Sequence, residues 1–356
     1  MLLTFVLLWI SVYSLLFWLA FGIQKEYVSN FSPPVSVLIA AKNEAHNLEK
    51  HLPAILTQNY PQFEVIIAVN QTDDNTIQVL QNLQKKYPHL RWIEIKHIPA
   101  NLSPKKYALT QAIEHSLYSY LVCTDADCLP NSSEWLKMMM FPFSCPKVEV
   151  VLGYSPYLYQ NTWLSAWIQY ETTLTALQYL GLARLGLPYM GVGRNIAYTK
   201  SLFYQHTFKK HQHIYSGDDD LFVNQAANRK NVAIQTHPKS WMWSVPPKNW
   251  QKWYQQKTRH ISTGKHYKAF HLFILGMLAL LNVLLPFFAF SYFLKPENFY
   301  IFALPFVGVY LIIALFYTRL KLPKHFTYLI FLPFLYSVYQ IIFSIKGAFA
   351  KPKTTW

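Results

Sequence analysis

Five aspartates stand in two short runs, Asp125 and Asp127 in TDAD, and Asp218, Asp219 and Asp220 in SGDDDL. Carboxylates this close repel one another, and a bound cation relieves the repulsion. Hard divalent ions take oxygen ligands and bridge carboxylate to phosphate. Crowding also raises a carboxyl pKa, which suits one member to accept a proton near neutral pH. The two runs therefore point to metal-assisted chemistry on a phosphorylated substrate, with a carboxylate as base. The plain alternatives are a solvated acidic turn for the first run and helix capping for the second, which directly precedes the apolar-periodic stretch 221–227. The histidines, His211 and His213 among them, show no zinc spacing and are expected at surface positions. Cys123, Cys128 and Cys145 form no C-x-x-C pair, so reduced thiols are expected.

Such carboxylates need a frame. VSVLIA (35–40), EVIIAV (64–69), 91–96 and YLVCT (120–124) read as buried strands, being short apolar runs rich in β-branched residues. Helices are expected at about 45–57, 76–87 and 105–117. Strands alternating with helices at this spacing predict an α/β fold around a mainly parallel sheet. Ligands of such sheets bind at the carboxyl ends of the strands, where Asp125 and Asp127 fall.

Around this domain the composition changes. Only 14% of residues are charged and 52% are hydrophobic, which excludes a disordered chain, and three cysteines are too few for a disulfide scaffold. Residues 1–24, 269–294, 299–318 and 326–345 contain no Asp, Glu, Lys or Arg. Each block reaches the roughly 20 residues that cross a bilayer. The first lacks a basic start and an A-x-A cleavage pattern, so it reads as an uncleaved anchor. Lys25 after it, and Arg319, Lys321 and Lys324 between the last two blocks, place the 25–268 insert in the cytoplasm by the positive-inside tendency, whereas Lys295 in the intervening loop is offset by Glu297. Lys346, Lys351 and Lys353 fit four full crossings poorly, and Pro333 and Gln340 leave the last block open to a re-entrant or interfacial course. The formal charge of +15 suits an anionic lipid surface or a phosphorylated substrate. No nucleic-acid-binding signature is present. Trp163, Trp167, Tyr170, Tyr179 and Tyr189, then Trp241, Trp243, Trp250, Trp253 and Tyr254 with the lysines of 248–268, suggest segments at headgroup level. The alternative is that these aromatics are ordinary core.

In order along 33–262, these motifs resemble the membrane-bound members of glycosyltransferase family 2, which include ceramide glucosyltransferases and cellulose and hyaluronan synthases. The resemblance implies a GT-A domain, cytoplasmic and flanked by transmembrane helices. It places Ala40, Asn43 and Glu44 of VSVLIAAKNEAHNL near the nucleotide base. SPKKYAL resembles the family's G-K-x-x-A-L segment, with Lys105 at the Lys position and Pro104 where Gly is usual. On the D-x-D match, Asp125 contacts the ribose side of the nucleotide and Asp127 ligates a divalent metal, Mn²⁺ or Mg²⁺. GVGRNIAY (191–198) is similar to the acceptor-side loop, with Gly193 and Asn195 as acceptor contacts. SGDDDL resembles the motif supplying the general base, at Asp218 or Asp219. QQKTRH sets Gln256 and Arg259 on the Q-x-x-R-W pattern, with His260 where Trp is usual. A second departure is at the turn after the expected strand 64–69, where Val69 and Asn70 stand in place of an Asp pair and Asp74 matches the later Asp. Asn70 can still hydrogen-bond a base.

The resemblance implies an inverting transfer of a sugar from a nucleotide-diphosphate donor to a lipid or lipid-linked hydroxyl at the plasma (inner) membrane, by a multi-pass protein. The expected parts are an anchor (1–24), a GT-A domain (25–248), an interfacial amphipathic helix (249–268), two or three membrane helices (269–346) and a basic tail (347–356). The rivals are a processive polysaccharide synthase subunit, a non-catalytic glycosyltransferase-like scaffold, and a transporter. The last is disfavoured by the absence of charge within the spans.

Overall fold

The computed structural model describes residues 2–22, 31–293, 299–322 and 331–349. Lys25, Lys295, Glu297, Lys324 and the tail from 350 onward lie outside the described residues. The chain divides into two compact units. One takes 31–158 and 182–245, the other 2–22, 159–181 and the described residues from 246 on.

In the first unit, β1 (Val35–Ala41), β2 (Phe63–Asn70), β3 (Leu90–Ile95) and β4 (Tyr120–Asp125) are parallel, connected by α2 (Ala45–Leu56), α3 (Thr76–Lys86) and α4 (Pro104–His115). All seven β1 positions are buried. That pattern needs cover on both faces, which is why VSVLIAA is apolar throughout and does not alternate. Beyond β4 come β7 (Ile196–Thr199), β6 (Val150–Gly153) and β8 (Val232–Gln235), in the order β3-β2-β1-β4-β7-β6-β8. β7 is antiparallel to both neighbours and β8 is parallel to β6. The sheet is thus mixed but mostly parallel. β5 (Cys128–Pro130) and β9 (Met242–Ser244) form a separate antiparallel pair. Buried Glu64 on β2 ties the parallel half together, accepting from Ser36 Oγ (2.6 Å), Leu117 N (2.6 Å) and Arg91 Nη1 (2.7 Å). A carboxylate taken out of water needs such partners.

This topology makes one edge chemically crowded. β1 and β4 are hydrogen-bonded neighbours with β2 and β3 between them in sequence, so strand order reverses there and a crevice opens at their carboxyl ends. Asp125, the last residue of β4, pairs in register with Ala40. Because β7 is antiparallel, its first residue, Ile196, lies opposite Cys123. The loop before β7 therefore arrives at the same edge, as does the segment leaving β6 after Gly153.

The second unit is helical: α1 (Leu2–Phe17), extended by a π-helical turn Trp18–Gly22, most of α6 (Trp163–Arg184), α9 (Trp250–Gly264), α10 (Ala269–Phe293), α11 (Phe299–Arg319) and α12 (Leu332–Phe349). Among the described residues one helix, Thr4–Gly22, is long and apolar enough to cross a membrane. The other apolar stretches meeting the composition, Ala269–Leu284 and Val307–Arg319, are shorter. Several polar groups inside this unit are paired. Trp9 Nε1 donates to Asn282 Oδ1 (2.8 Å), Asn282 Nδ2 and Gln178 Nε2 donate to Tyr13 OH (2.8 and 3.0 Å), and Glu171 pairs with Lys257. Most of the aromatics expected at headgroup level are core. Trp167 packs on Trp253 (5.9 Å between rings) and Tyr339 (5.4 Å), and Tyr170, Tyr179, Tyr189 and Trp241 are buried. Only Trp163, Trp250 and Tyr254 of that set are exposed.

Candidate active site

Lys105, in the first turn of α4, joins the two aspartate runs. Its Nζ lies 3.0 Å from Asp125 Oδ1 and 3.0 Å from Asp218 Oδ2. Burial alone would favour a neutral amine, but Asp125, Asp218 and Asp219 hold Lys105 well above its ordinary pKa. Burial likewise opposes ionisation of Asp218, and the Lys105 ammonium reverses this, leaving Asp218 below the usual carboxylate range. Asp219 goes the other way. Burial, then Asp218 and Asp220, push it up to about 7. Its Oδ2 accepts the Gly193 N–H (2.6 Å) and its Oδ1 the Asp220 N–H (2.7 Å), which caps α8 (Asp220–Ala226). The capping alternative is therefore realised by the same residue that faces Gly193. The chain enters this turn through Gly217, whose φ of +92° suits a residue without Cβ. A Cβ on Gly193 would lie 3.3 Å from Asp219 Oδ2 and 3.4 Å from Asp218 Oδ2, so open space at Gly193 borders both carboxylates.

Asp127 occupies the other side. It is held by Ser244 Oγ (3.1 Å to Oδ2), brought there by β9, and by the Cys128 thiol (3.4 Å to Oδ1). Burial, then Asp125, raise its pKa. Burial foremost also raises Glu44, which feels Asp127, Asp125 and Asp74. Among the described residues no three His, Cys, Asp or Glu side chains form a metal cage. The donor set still fits a divalent ion. Asp127 is an under-compensated carboxylate with a second beside it, and a hard ion can take its remaining oxygens from phosphate.

Arg194 is the residue that sequence reasoning passed over, between two that it named. Its guanidinium lies over the Tyr157 ring (4.2 Å to the centroid) and donates through Nη2 to Ser155 O (3.3 Å). Burial works against its charge, and Tyr157, Cys128, Asp127 and Asp125 more than restore it. The available signal was that Arg194 is the one charged residue in 185–199.

Other expected residues sit differently. Asn195 is fully enclosed. Its amide donates to Tyr154 O (2.8 Å) and Ser240 O (2.9 Å) and accepts from Trp135 Nε1 (3.0 Å), so its polar groups hold the fold and leave none for an acceptor. Asn43 Oδ1 accepts from Thr72 Oγ1 (3.0 Å) and Asp73 N (2.8 Å), fastening the β1–α2 loop to the β2–α3 loop, with Asp74 capping both by accepting from Ala45 N (3.0 Å) and Thr76 N (3.0 Å). Asn43 is thus committed to loop geometry. Ala40 lines the β1 end. Asn70, buried at the carboxyl end of β2, has neither amide atom hydrogen-bonded. His211 is buried, not at the surface, and its Nδ1 and carbonyl oxygen bond Lys106 Nζ (2.8 Å each). Gln256, Arg259 and His260 lie on α9, in the helical unit.

A family model described as glycosyltransferase-like family 2 matches residues 33–263, more than half of the chain. The chain belongs to that family. The match takes in every strand of the α/β unit. Similar proteins include glycosyltransferase AglE of Haloferax volcanii, 30% identical over 36% of this chain and 41% of that protein. A poly-beta-1,6-N-acetyl-D-glucosamine synthase of Staphylococcus epidermidis is 22% identical over 65% of this chain and 54% of its own length. The chain thus spans about half the length of the curated relatives it matches. Among solved structures, mannosyltransferase PcManGT from Pyrobaculum calidifontis, in complex with GDP-Man and Mn²⁺, superposes with a TM-score of 0.58 at 17% identity, covering 98% of each chain. That likeness supports the GT-A fold.

Proposed function

We propose that the protein is an inverting glycosyltransferase moving a sugar from a nucleotide-diphosphate donor to a membrane-associated hydroxyl. The observation carrying this reading is Lys105 bridging Asp125 and Asp218 at the strand-order reversal, with Asp219 near neutrality beside it. Asp219 is the better base of the pair, because Asp218 is committed to Lys105. Asp219 takes the acceptor proton as the acceptor oxygen attacks the anomeric carbon, and the bond to the nucleoside diphosphate breaks on the opposite face. Such base assistance is typically worth 10²–10⁴-fold. Lys105 supplies fixed positive charge at the diphosphate. Asp127, with Asp125 beside it, would hold Mn²⁺ or Mg²⁺, which when bound supplies Lewis-acid neutralisation of the leaving group. Ala40, Glu44 and the unsatisfied amide of Asn70 serve the base and ribose. Gly193 serves the acceptor.

The membrane assignment rests on the apolar helices. Thr4–Gly22 has the length of a span, and the shorter apolar stretches Ala269–Leu284 and Val307–Arg319 are consistent with further membrane contact. The α/β unit then faces the cytoplasm. A polymerising synthase is the second reading, favoured by similarity to the Staphylococcus epidermidis enzyme. One assay addresses both: labelled UDP- and GDP-sugars, supplied to membranes with Mn²⁺, Mg²⁺ or EDTA, beside Asp127→Ala and Asp219→Asn. Metal-dependent label in the lipid fraction, lost in both variants, is expected. Label in a long water-soluble polymer favours the second reading. Donor binding without turnover under every condition overturns both.

A further inference from the structure

Gly193 and Arg194 are consecutive, yet they serve different carboxylate runs. Gly193 gives its N–H to Asp219, while Arg194 turns toward the D-x-D side, stacked on Tyr157, which bridges to the Ser244 that holds Asp127. Three features set Arg194 apart from a structural arginine. Its Nη1 is shielded from solvent and has no hydrogen-bond partner. Among the described residues no carboxylate comes within ion-pairing distance of it, although two lie close enough to feel its charge. Its guanidinium is fixed by the Tyr157 ring on one face, at 4.2 Å, and by Ser155 O, 3.3 Å from Nη2, at one edge. A pre-oriented cation with a free edge, near a carboxylate pair but not joined to it, is arranged for an anion that enters between them. Guanidinium matches phosphate oxygens in geometry and charge.

We propose that Arg194 is a phosphate-binding residue of this site, contacting a phosphoryl oxygen at the D-x-D end of the crevice. This rests on the nucleotide-sugar reading above and extends it. Two sources can present such an oxygen, the donor diphosphate and a phosphate on a lipid acceptor. The link from Arg194 through Tyr157 and Ser244 to Asp127 favours the donor.

The test uses the full chain in detergent, as wild type, Arg194→Gln and Arg194→Lys, with melting temperature as the check on folding. UDP and GDP are titrated beside uridine, guanosine and detergent-dispersed phosphatidic acid. The expected result is a roughly ten- to hundredfold loss of diphosphate affinity in Arg194→Gln, partial recovery in Arg194→Lys, and unchanged nucleoside affinity. A loss confined to phosphatidic acid supports the proposal with the lipid phosphate as source. Affinities equal to wild type throughout, or nucleoside and diphosphate affinity falling together, overturn it by making Arg194 merely structural. A folded wild type that binds neither diphosphate overturns the nucleotide-sugar reading itself, and the proposal with it.

Discussion

Asp219 can accept a proton only when ionised, so turnover must rise with pH through its pKa of about 7. Below that point kcat/KM falls about tenfold per pH unit. Asp218→Asn removes one of the charges holding that pKa up. Both Oδ2 atoms lie 3.3–3.4 Å from one point, the Cβ position of Gly193. They are therefore at most about 7 Å apart, and at an effective dielectric constant of about 20 their repulsion is at least about 2.4 kcal/mol, roughly 1.7 pK units. The inflection in Asp218→Asn should move down, toward about 5. Lys105 keeps Asp125 at 3.0 Å, so the cation stays in the site. The assay is the initial rate of nucleoside diphosphate release from about pH 5 to 9 at constant ionic strength. Asp219→Asn should cost 10²–10⁴-fold on the plateau. An inflection in Asp218→Asn that stays in place or climbs would refute the electrostatic argument. A dead Asp218→Asn beside an active Asp219→Asn would transfer the role of base to Asp218.

Gly193→Ala places a methyl group 3.3–3.4 Å from both carboxylates at a backbone position that tolerates it. Transfer should drop at least about tenfold while nucleoside diphosphate affinity, measured by calorimetry, is unchanged. Asn195→Ala strands Trp135 Nε1 and two buried carbonyls. It should cost about 2–4 kcal/mol, seen as a lower urea midpoint, with kcat/KM per folded molecule preserved. Asp127→Ala should abolish the strengthening of UDP or GDP binding by Mn²⁺, leaving an EDTA-insensitive residual affinity.

The parallel half of the sheet was legible because its strands are covered on both faces and read as unbroken apolar runs. The expected strand 64–69 is observed as Phe63–Asn70, and the expected helix 76–87 as Thr76–Lys86. β5 and β9 are three residues each, with no periodicity to detect, yet β9 delivers Ser244 to Asp127. The two aspartate runs announce themselves by charge repulsion within a few residues. Arg194 does not, since a lone arginine acquires meaning only when the antiparallel turn into β7 carries it to the D-x-D edge. Motif matching also could not separate Asn195, whose amide is spent on carbonyls, from Gly193, whose value is the space it leaves. The aromatic segments misled for a related reason: Trp and Tyr satisfy a bilayer interface and a packed helical core by the same amphipathic chemistry, and only the packing of Trp167 on Trp253 and Tyr339 decides.

The pairing of Trp9 with Asn282 has a consequence for how the protein is made. These partners are separated by 273 positions. At about 5–20 residues per second, the ribosome needs roughly 15–55 s to bring out the second after the first. Through that interval the opening helix exists without the amide that its indole needs, while the whole α/β unit is synthesised and folds. The helical unit can close only near the end of translation. Premature termination before Asn282 would release a finished α/β unit tethered to a helix whose buried indole N–H has lost its acceptor, a local mark of an incomplete chain.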